Sequence, residues 1–364
     1  MTTVLFAGGG TGGHLMPALA IAAEVGRHRP DWRLVFAGAA RGVEADVLPR
    51  RGVPHRLLPL EPLYRNAWWR NARWLVQGPR LIGAVHRLLE EENPAAVIGT
   101  GGYVSGPVVW GATRRRTPTG ILELDVHPGL ATRLLASRVS EVWTATPEAM
   151  AALPAVVQLR TSVTGAPIVA PDRARRGAAL QRFGLDASRP VLIVTGGSQG
   201  SLALNRLVAE WLAAGGGQGV QVIWATGRAT QAEFALWHRP PAVTVVPFLE
   251  PMADAWAVAD LCLARAGMMT IAELCAWGIP SVLIPLPTAA ADHQTHNARA
   301  LVASGAAVLL PEAGLTAAAL GGELDDLVRD PARRLQMATA ARARGRPDAA
   351  AVIAEHVIRL ASGA

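Results

Sequence analysis

Short apolar runs recur along the chain, and each gives way to a polar or glycine-rich turn and then to a stretch with helical spacing. The runs cover residues 3–7, 33–37, 96–99, 120–123 and 141–144, then 191–194, 220–224, 243–246, 261–263 and 281–284. Being apolar on both faces, they predict strands buried between helices rather than half-exposed ones. Helical stretches such as 17–25, 203–213 and 348–361 alternate with them. The pattern is βα repetition, so the expected fold class is α/β, with parallel sheets joined by right-handed crossovers.

Two of the runs feed glycine turns in matching contexts. GGGTGGH, from Gly8 to His14, follows the first run, and GGSQG, from Gly196 to Gly200, follows the run at 191–194. A glycine turn between a strand and a helix aims backbone N–H groups at an anion, typically phosphate. One such turn is equally well a plain left-handed connection. Two of them, half a chain apart, favour the phosphate reading. At 364 residues the chain exceeds one ordinary core, and the twin units divide it into two domains, expected at 1–164 and 165–345. The segment 164–176, with Pro167, Pro171 and several arginines, reads as their connection. The helix within 346–364 is expected to return to the N-terminal domain.

Composition narrows the partners. The formal net charge is +7, and every basic residue other than histidine is arginine. Arginine favours bidentate contacts with phosphate, so the surplus points to anionic partners: nucleic acid, lipid headgroups or phosphorylated substrates. No apolar run approaches the ~18 residues of a spanning helix, and strand-like sequence starts at once, so neither a membrane span nor a secretory leader is expected. The two cysteines, Cys262 and Cys275, form no CxxC pair and have no clustered histidines beside them. That disfavours a disulfide scaffold or a zinc site and suits a reduced, cytoplasmic setting.

Ligands of open α/β sheets bind beyond the carboxyl ends of strands, so candidate chemistry is sought there. In the first half, His14 ends the glycine turn at a helix start, where a neutral imidazole is a candidate general base or simply caps the turn. A third glycine cluster, GGYVSGP from Gly101 to Pro107, follows the run at 96–99 and brings Tyr103 to the same edge. Tyr103 either lines an acceptor site or packs against the first turn. Glu123 and Asp125 follow the next run; either carboxylate can orient or deprotonate a hydroxyl, and at i,i+2 in a strand they are expected on one face.

In the second half, RAGMMTIAE from Arg265 to Glu273 is a glycine turn and a new helix start. The amides of Met268, Met269 and Thr270 suit a diphosphate, and Glu273 either accepts from a ribose diol or caps its own helix. Past the run at 281–284 stands DHQTHN, where Asp292 and Gln294 offer groups that read sugar hydroxyls. His293 and His296 have no clear third ligand, so no metal site is read from them. Residues 64–87 interleave Trp68, Trp69 and Trp74 with Arg65, Arg70, Arg73 and Arg80. Such mixtures stack nucleic-acid bases, seat a surface on an anionic membrane, or place ordinary core tryptophans on a helix.

GGTGGH, GGYVSGP, GGSQG and the D-x-Q-x-x-N segment, in this order and over essentially the whole chain, resemble the MurG family of peptidoglycan N-acetylglucosaminyltransferases. The resemblance implies the GT-B architecture, two Rossmann-like domains facing across a cleft. It implies inverting transfer of N-acetylglucosamine from UDP-N-acetylglucosamine to the C4 hydroxyl of lipid-linked muramyl pentapeptide, lipid I, giving lipid II. The setting implied is peripheral, at the cytoplasmic leaflet, where Trp68, Trp69, Arg70, Arg73, Trp74 and Arg80 would meet the membrane; no cofactor, metal or nucleic-acid partner is implied.

Carried over by position, Thr11, Gly12 and Gly13 lie near donor and acceptor, and Ser198 meets the diphosphate; Tyr103 and Asp125, at the strand ends beside them, are read as further substrate contacts. The backbone of Leu249 lies beside the uracil, Met268, Met269 and Thr270 touch phosphate, Glu273 holds ribose and Gln294 the sugar. His14 matches the family's base, with Glu123 or Asp125 as helpers. Three segments depart from the family pattern: H-E-Q-N is here Leu122-Glu123-Leu124-Asp125, G-N-P-V-R is Gly165-Ala166-Pro167-Ile168-Val169, and S-G-A-L-T is Ala266-Gly267-Met268-Met269-Thr270. An amide able to donate thus becomes an acceptor-only carboxylate, and an arginine expected at the nucleotide becomes valine. The rival readings are a UDP-N-acetylglucosamine 2-epimerase, which has no lipid acceptor, and a non-catalytic sugar-nucleotide-binding scaffold.

Overall fold

Strands form at every apolar run expected to form one, and at three further places. The computed structural model describes residues 1–61 and 74–363. Its strands are β1 Thr3–Gly8, β2 Arg33–Ala39, β3 His55–Leu58, β4 Ala96–Gly101, β5 Thr119–Glu123, β6 Glu141–Thr144 and β7 Thr161–Val163, then β8 Val191–Thr195, β9 Gln221–Ala225, β10 Val243–Val246, β11 Leu261–Ala264, β12 Ser281–Leu283 and β13 Ala307–Leu309. Every expected run is present within two residues of its expected ends. The unexpected ones, β3, β7 and β13, are all sheet edges. β3 and β7 are partly exposed and carry polar residues, with Arg56 and Leu57 of β3 facing solvent, whereas β13 is only three residues long although it lies in an apolar stretch.

The chain divides into two compact units, one of Met1–Ile168 with Asp348–Ala364 and the other of Val169–Pro347. The first holds a seven-stranded sheet in the order β3-β2-β1-β4-β5-β6-β7, all parallel. Val4, Leu5, Phe6 and Ala7 of β1 are wholly buried, and Phe6 stacks on Phe36 of β2 with ring centroids 5.4 Å apart. The last helix, Ala349–Ser362, packs on helix Gly12–His28. It is tied to β6 where His356 meets the Glu141 carboxylate, which also accepts from Trp143 Nε1 at 3.0 Å.

The second unit holds a six-stranded parallel sheet in the order β10-β9-β8-β11-β12-β13. Its β9 begins at Gln221, a polar residue with no exposure. The burial is tolerated because the side-chain amide exchanges two 2.8 Å hydrogen bonds with the Asp186 backbone.

The first crossover helix corrects an expectation. Pro17 suggests a helix beginning at its own position, since proline suits the first turn. The helix instead runs Gly12–His28, with Pro17 inside it. Proline lacks an N–H, so the Gly13 carbonyl has no i+4 amide and stays open to another donor.

Candidate active site

Each sheet reverses its strand order beside its first strand. β1 and β4 are neighbours whose connections lead to opposite sides, and β8 and β11 stand in the same relation. Ligands of doubly wound sheets bind at that reversal, beyond the carboxyl ends. Both glycine turns lie there.

In the first unit the turns after β1 and β4 interlock because glycines leave no side chain between them. The Gly9 N–H donates to the Gly101 carbonyl at 3.4 Å, and the Thr100 hydroxyl donates to the His14 carbonyl at 2.9 Å. Gly101 and Gly102 both have positive φ, of 99° and 76°. A Cβ on Gly101 would stand 2.6 Å from His14 Nδ1, and one on Gly102 would stand 1.9 Å from the Gly9 carbonyl oxygen. The His14 ring therefore lies against the second turn. Thr11 precedes the helix in extended conformation and makes no side-chain cap, leaving the Gly12 and Gly13 amides at an uncapped helix start. The Tyr103 ring packs over Gly10, where a Cβ would come within 2.5 Å of Cε1. The ring thus packs against the first turn.

Glu123 and Asp125 do not share a strand face, because β5 ends at Glu123. Buried Glu123 organises the loop instead: one oxygen accepts from the Gly129 N–H at 2.8 Å and the other from the Asp125 N–H at 3.1 Å. Burial pushes its pKa up to about 7, opposed by hydrogen bonds from Thr132 and these amides and helped by the charge of Asp125. Asp125 itself is half-buried.

A stability signature follows from Glu123. Between its unfolded value near 4.5 and its folded value of about 7 the native protein holds a proton that the unfolded chain has lost. This contribution is therefore most favourable below that window, falls as pH rises through it, and above it costs on the order of 3 kcal/mol. Denaturant unfolding of Glu123→Gln at a series of pH values is expected to show a shallower decline than the parent.

In the second unit the turn after β8 leads to Ser201, whose hydroxyl caps helix Leu202–Ala213 by accepting from the Leu204 N–H. Gly200, with φ 77°, lies so close to the Thr226 carbonyl and Gly227 that a Cβ would stand 2.3 Å from Thr226 O. Ser198 is exposed at the tip of the turn. After β11, Gly267 precedes helix Met268–Trp277 without a side-chain cap, so the amides of Met268, Met269 and Thr270 form an open helix start.

Glu273 does not cap that helix. Its Oε2 accepts from Trp256 Nε1 at 3.1 Å, and burial pushes its pKa up to about 7 against that hydrogen bond. Gln294 uses its carbonyl oxygen to accept from the Leu286 N–H at 2.9 Å. That fixes the loop after β12 and directs the amide's two donors elsewhere. Leu249, past β10, is buried. Val169, in place of the family's arginine, is exposed.

Three residues given no role by the sequence reading organise these turns. Buried Arg265 donates to the Ile284 and Pro285 carbonyls at 3.1 Å each and to the Ser201 hydroxyl at 2.7 Å, and pairs with Glu312. It ties three loops of the second unit together. Asn205 donates to the Thr226 carbonyl at 2.7 Å and accepts from Trp224 Nε1 at 2.9 Å, holding the two close-packed backbones. Glu44, wholly buried, reaches the first glycine turn. A polar residue at each of these places beside an apolar run is the one signal the sequence offers.

Of the expected membrane-facing residues, Trp68, Trp69, Arg70 and Arg73 lie outside the described residues. Trp74 opens helix Trp74–Glu92, on which Arg80 is exposed and Ile82 is 55% exposed. Among the described residues no helix is long and apolar enough to cross a membrane.

Two Rossmann-like units with paired glycine turns at their switch points define a class, and comparison with known families agrees on it. The glycosyltransferase family 28 N-terminal domain matches residues 4–144, and the glycosyltransferase family 28 C-terminal domain matches residues 191–353. The chain belongs to glycosyltransferase family 28 and is a hexosyltransferase. Within that family it is 40% identical, over 98% of its length and 99% of the relative's, to the UDP-N-acetylglucosamine--N-acetylmuramyl-(pentapeptide) pyrophosphoryl-undecaprenol N-acetylglucosamine transferase of Chlorobaculum tepidum. The enzyme of the same description from Salinibacter ruber is also 40% identical, covering 98% of this chain and 96% of that one.

Among solved structures, Acinetobacter baumannii MurG superposes with a TM-score of 0.77 at 26% identity, over 99% of this chain and all of that one. A putative UDP-N-acetylglucosamine 2-epimerase from Listeria monocytogenes shares the fold, with a TM-score of 0.70, but only 14% identity over 98% of this chain and 96% of that one. That likeness is one of architecture alone, and the epimerase reading gains nothing from it.

Proposed function

We propose that this chain transfers N-acetylglucosamine from UDP-N-acetylglucosamine to the C4 hydroxyl of lipid-linked N-acetylmuramyl pentapeptide, with inversion, in peptidoglycan synthesis. The observation that carries this reading is the 40% identity, over nearly full length on both sides, to transferases named for that reaction. The site geometry supports it. In the second unit, the open helix start at Met268 and the turn around Ser198 offer N–H groups to a diphosphate. Glu273 and Gln294 offer groups to ribose and sugar. The same donors stabilise the charge that develops on UDP as it leaves.

In the first unit, His14 takes the proton of the acceptor hydroxyl as it attacks the anomeric carbon from the face opposite UDP. The transition state then has oxocarbenium character, as in glycoside hydrolysis. Thr11, Gly12 and Gly13 surround that hydroxyl. The lipid tail of the acceptor fixes the setting: a peripheral protein on the cytoplasmic face of the membrane, with the tryptophan- and arginine-rich segment toward the lipid.

The test is purified protein with UDP-N-acetylglucosamine and lipid I. The expected result is UDP release coupled to lipid II formation, and neither without lipid I. Conversion of the sugar nucleotide in the absence of lipid would establish the epimerase instead, and binding without turnover would establish the scaffold.

A further inference from the structure

The first glycine turn contains a carboxyl group of the protein's own. Glu44 opens helix Glu44–Arg50 after β2 and is wholly buried. Its Oε1 accepts from the Gly10 N–H at 2.8 Å and from the Ala39 N–H at 3.2 Å, so one carboxylate oxygen ties the turn after β1 to the end of β2. The space it fills exists because three neighbours lack side chains. A Cβ would come within 1.7 Å of Glu44 Oε1 on Gly9, 2.7 Å of Glu44 Cβ on Gly38, and 2.1 Å of Glu44 Oε2 on Gly42.

Gly9 is thus held from two directions. Glu44 fills the place of its missing side chain, while its carbonyl abuts Gly102, which in turn lies against the His14 ring. Glu44, Gly9, Gly102 and His14 form one unbroken line of contact.

We propose that Glu44 is a positioning residue for transfer: it sets the first glycine turn, and through it His14 and the Gly12 and Gly13 amides, relative to the acceptor hydroxyl. It touches no substrate. A carboxylate suits the task because its oxygen accepts from two amides at once, as a phosphate oxygen does in turns of this kind. The Gly10 amide is thereby withdrawn from ligand binding, and the amides that remain for substrate are those of the helix start.

The inference rests on the proposed transferase activity, and the experiment separates the two. Full-length parent, Glu44→Ala, Glu44→Asp and Glu44→Gln are compared for lipid II formation, for UDP-N-acetylglucosamine affinity and for hydrogen exchange of the peptide spanning residues 8–14. If the parent makes no lipid II, the functional reading fails, while the exchange arm still tests whether Glu44 holds the turn.

The expected result is a fall in kcat of roughly 10- to 100-fold for Ala and Asp, the cost of a misplaced reacting group. Donor affinity is unchanged, and exchange at 8–14 is faster. Gln, with the same reach and one oxygen able to accept from both amides, recovers kcat to within about fivefold of the parent. Parent-like kcat and exchange in Glu44→Ala would overturn the proposal. So would loss of donor affinity in parallel with kcat, which marks general damage to the fold, or a Gln variant no better than Ala.

Discussion

His14→Ala is expected to lose about 10²- to 10⁴-fold in turnover while still folding and binding UDP-N-acetylglucosamine as the parent does. Three groups of the first unit compete for the acceptor's proton, and their surroundings rank them. Both oxygens of Glu123 already accept backbone N–H groups, from Gly129 and Asp125, so moving that carboxylate would undo its own loop. Asp125 lies past the end of β5 and is half-buried. His14 stands in the first turn of helix Gly12–His28, with its ring against the Gly101-Gly102 turn at the switch point. There it is held by the backbone of that turn. Donor affinity is spared because the groups proposed to hold the nucleotide belong to the other compact unit. Steady-state turnover with lipid I, beside calorimetric titration of UDP-N-acetylglucosamine, reads both. A folded His14→Ala protein with parent turnover would remove the base assignment and shift it to Asp125.

What could be seen in the sequence was what depends on burial on both sides. The interior strands, the two glycine turns and the helix after Gly267 all announce themselves through local composition. The edge strands β3 and β7 do not, since partial exposure breaks the apolar run, and β13 does not because it is only three residues long. The start of the first helix was hidden for a related reason: Gly12 and Gly13 read as turn, and Pro17 as the natural first residue. Site residues placed on turns were legible by type, but their partners were not. Nothing local in the sequence says that Glu44 returns to Gly10, that Trp256 donates to Glu273, or that Arg265 reaches Ser201. Those pairings are made by crossovers of tens of residues and become visible only when the strands are in register.

The same pairings distinguish two turns that look alike in sequence. The first has its Gly10 amide satisfied by an internal carboxylate and its neighbour Gly9 closed off by that side chain. At the second, the Gly197 N–H meets the Thr195 hydroxyl at 3.2 Å, and Arg265, itself paired with Glu312, donates to Ser201 at its end. The two turns thus differ in what meets their amides, a carboxyl group of the chain at the first and a neighbouring hydroxyl at the second.

Glu273→Ala is expected to lower kcat/KM for the donor roughly 10²-fold, and Glu273→Gln to remove a pH dependence that the parent shows. A carboxylate accepting both hydroxyls of a ribose makes two charge-assisted hydrogen bonds, each contributing about 1.5 kcal/mol or more. Alanine loses both and also strands Trp256 Nε1, which now donates to Glu273 at 3.1 Å. Burial raises the Glu273 pKa to about 7, so in the free protein the group is largely protonated below that pH. The diol donates to the ionised form and favours it, so donor binding expels a proton there. By linkage, donor affinity then rises as pH increases toward 7 and levels off above it. UDP-N-acetylglucosamine is the right probe because its diphosphate is a diester, whereas the terminal phosphate of UDP titrates near pH 6, about where phosphomonoesters do. Calorimetric affinities across the window should rise with pH for the parent and stay flat for Glu273→Gln. An equal slope in both proteins would mean that another group titrates on binding and that Glu273 does not hold the ribose.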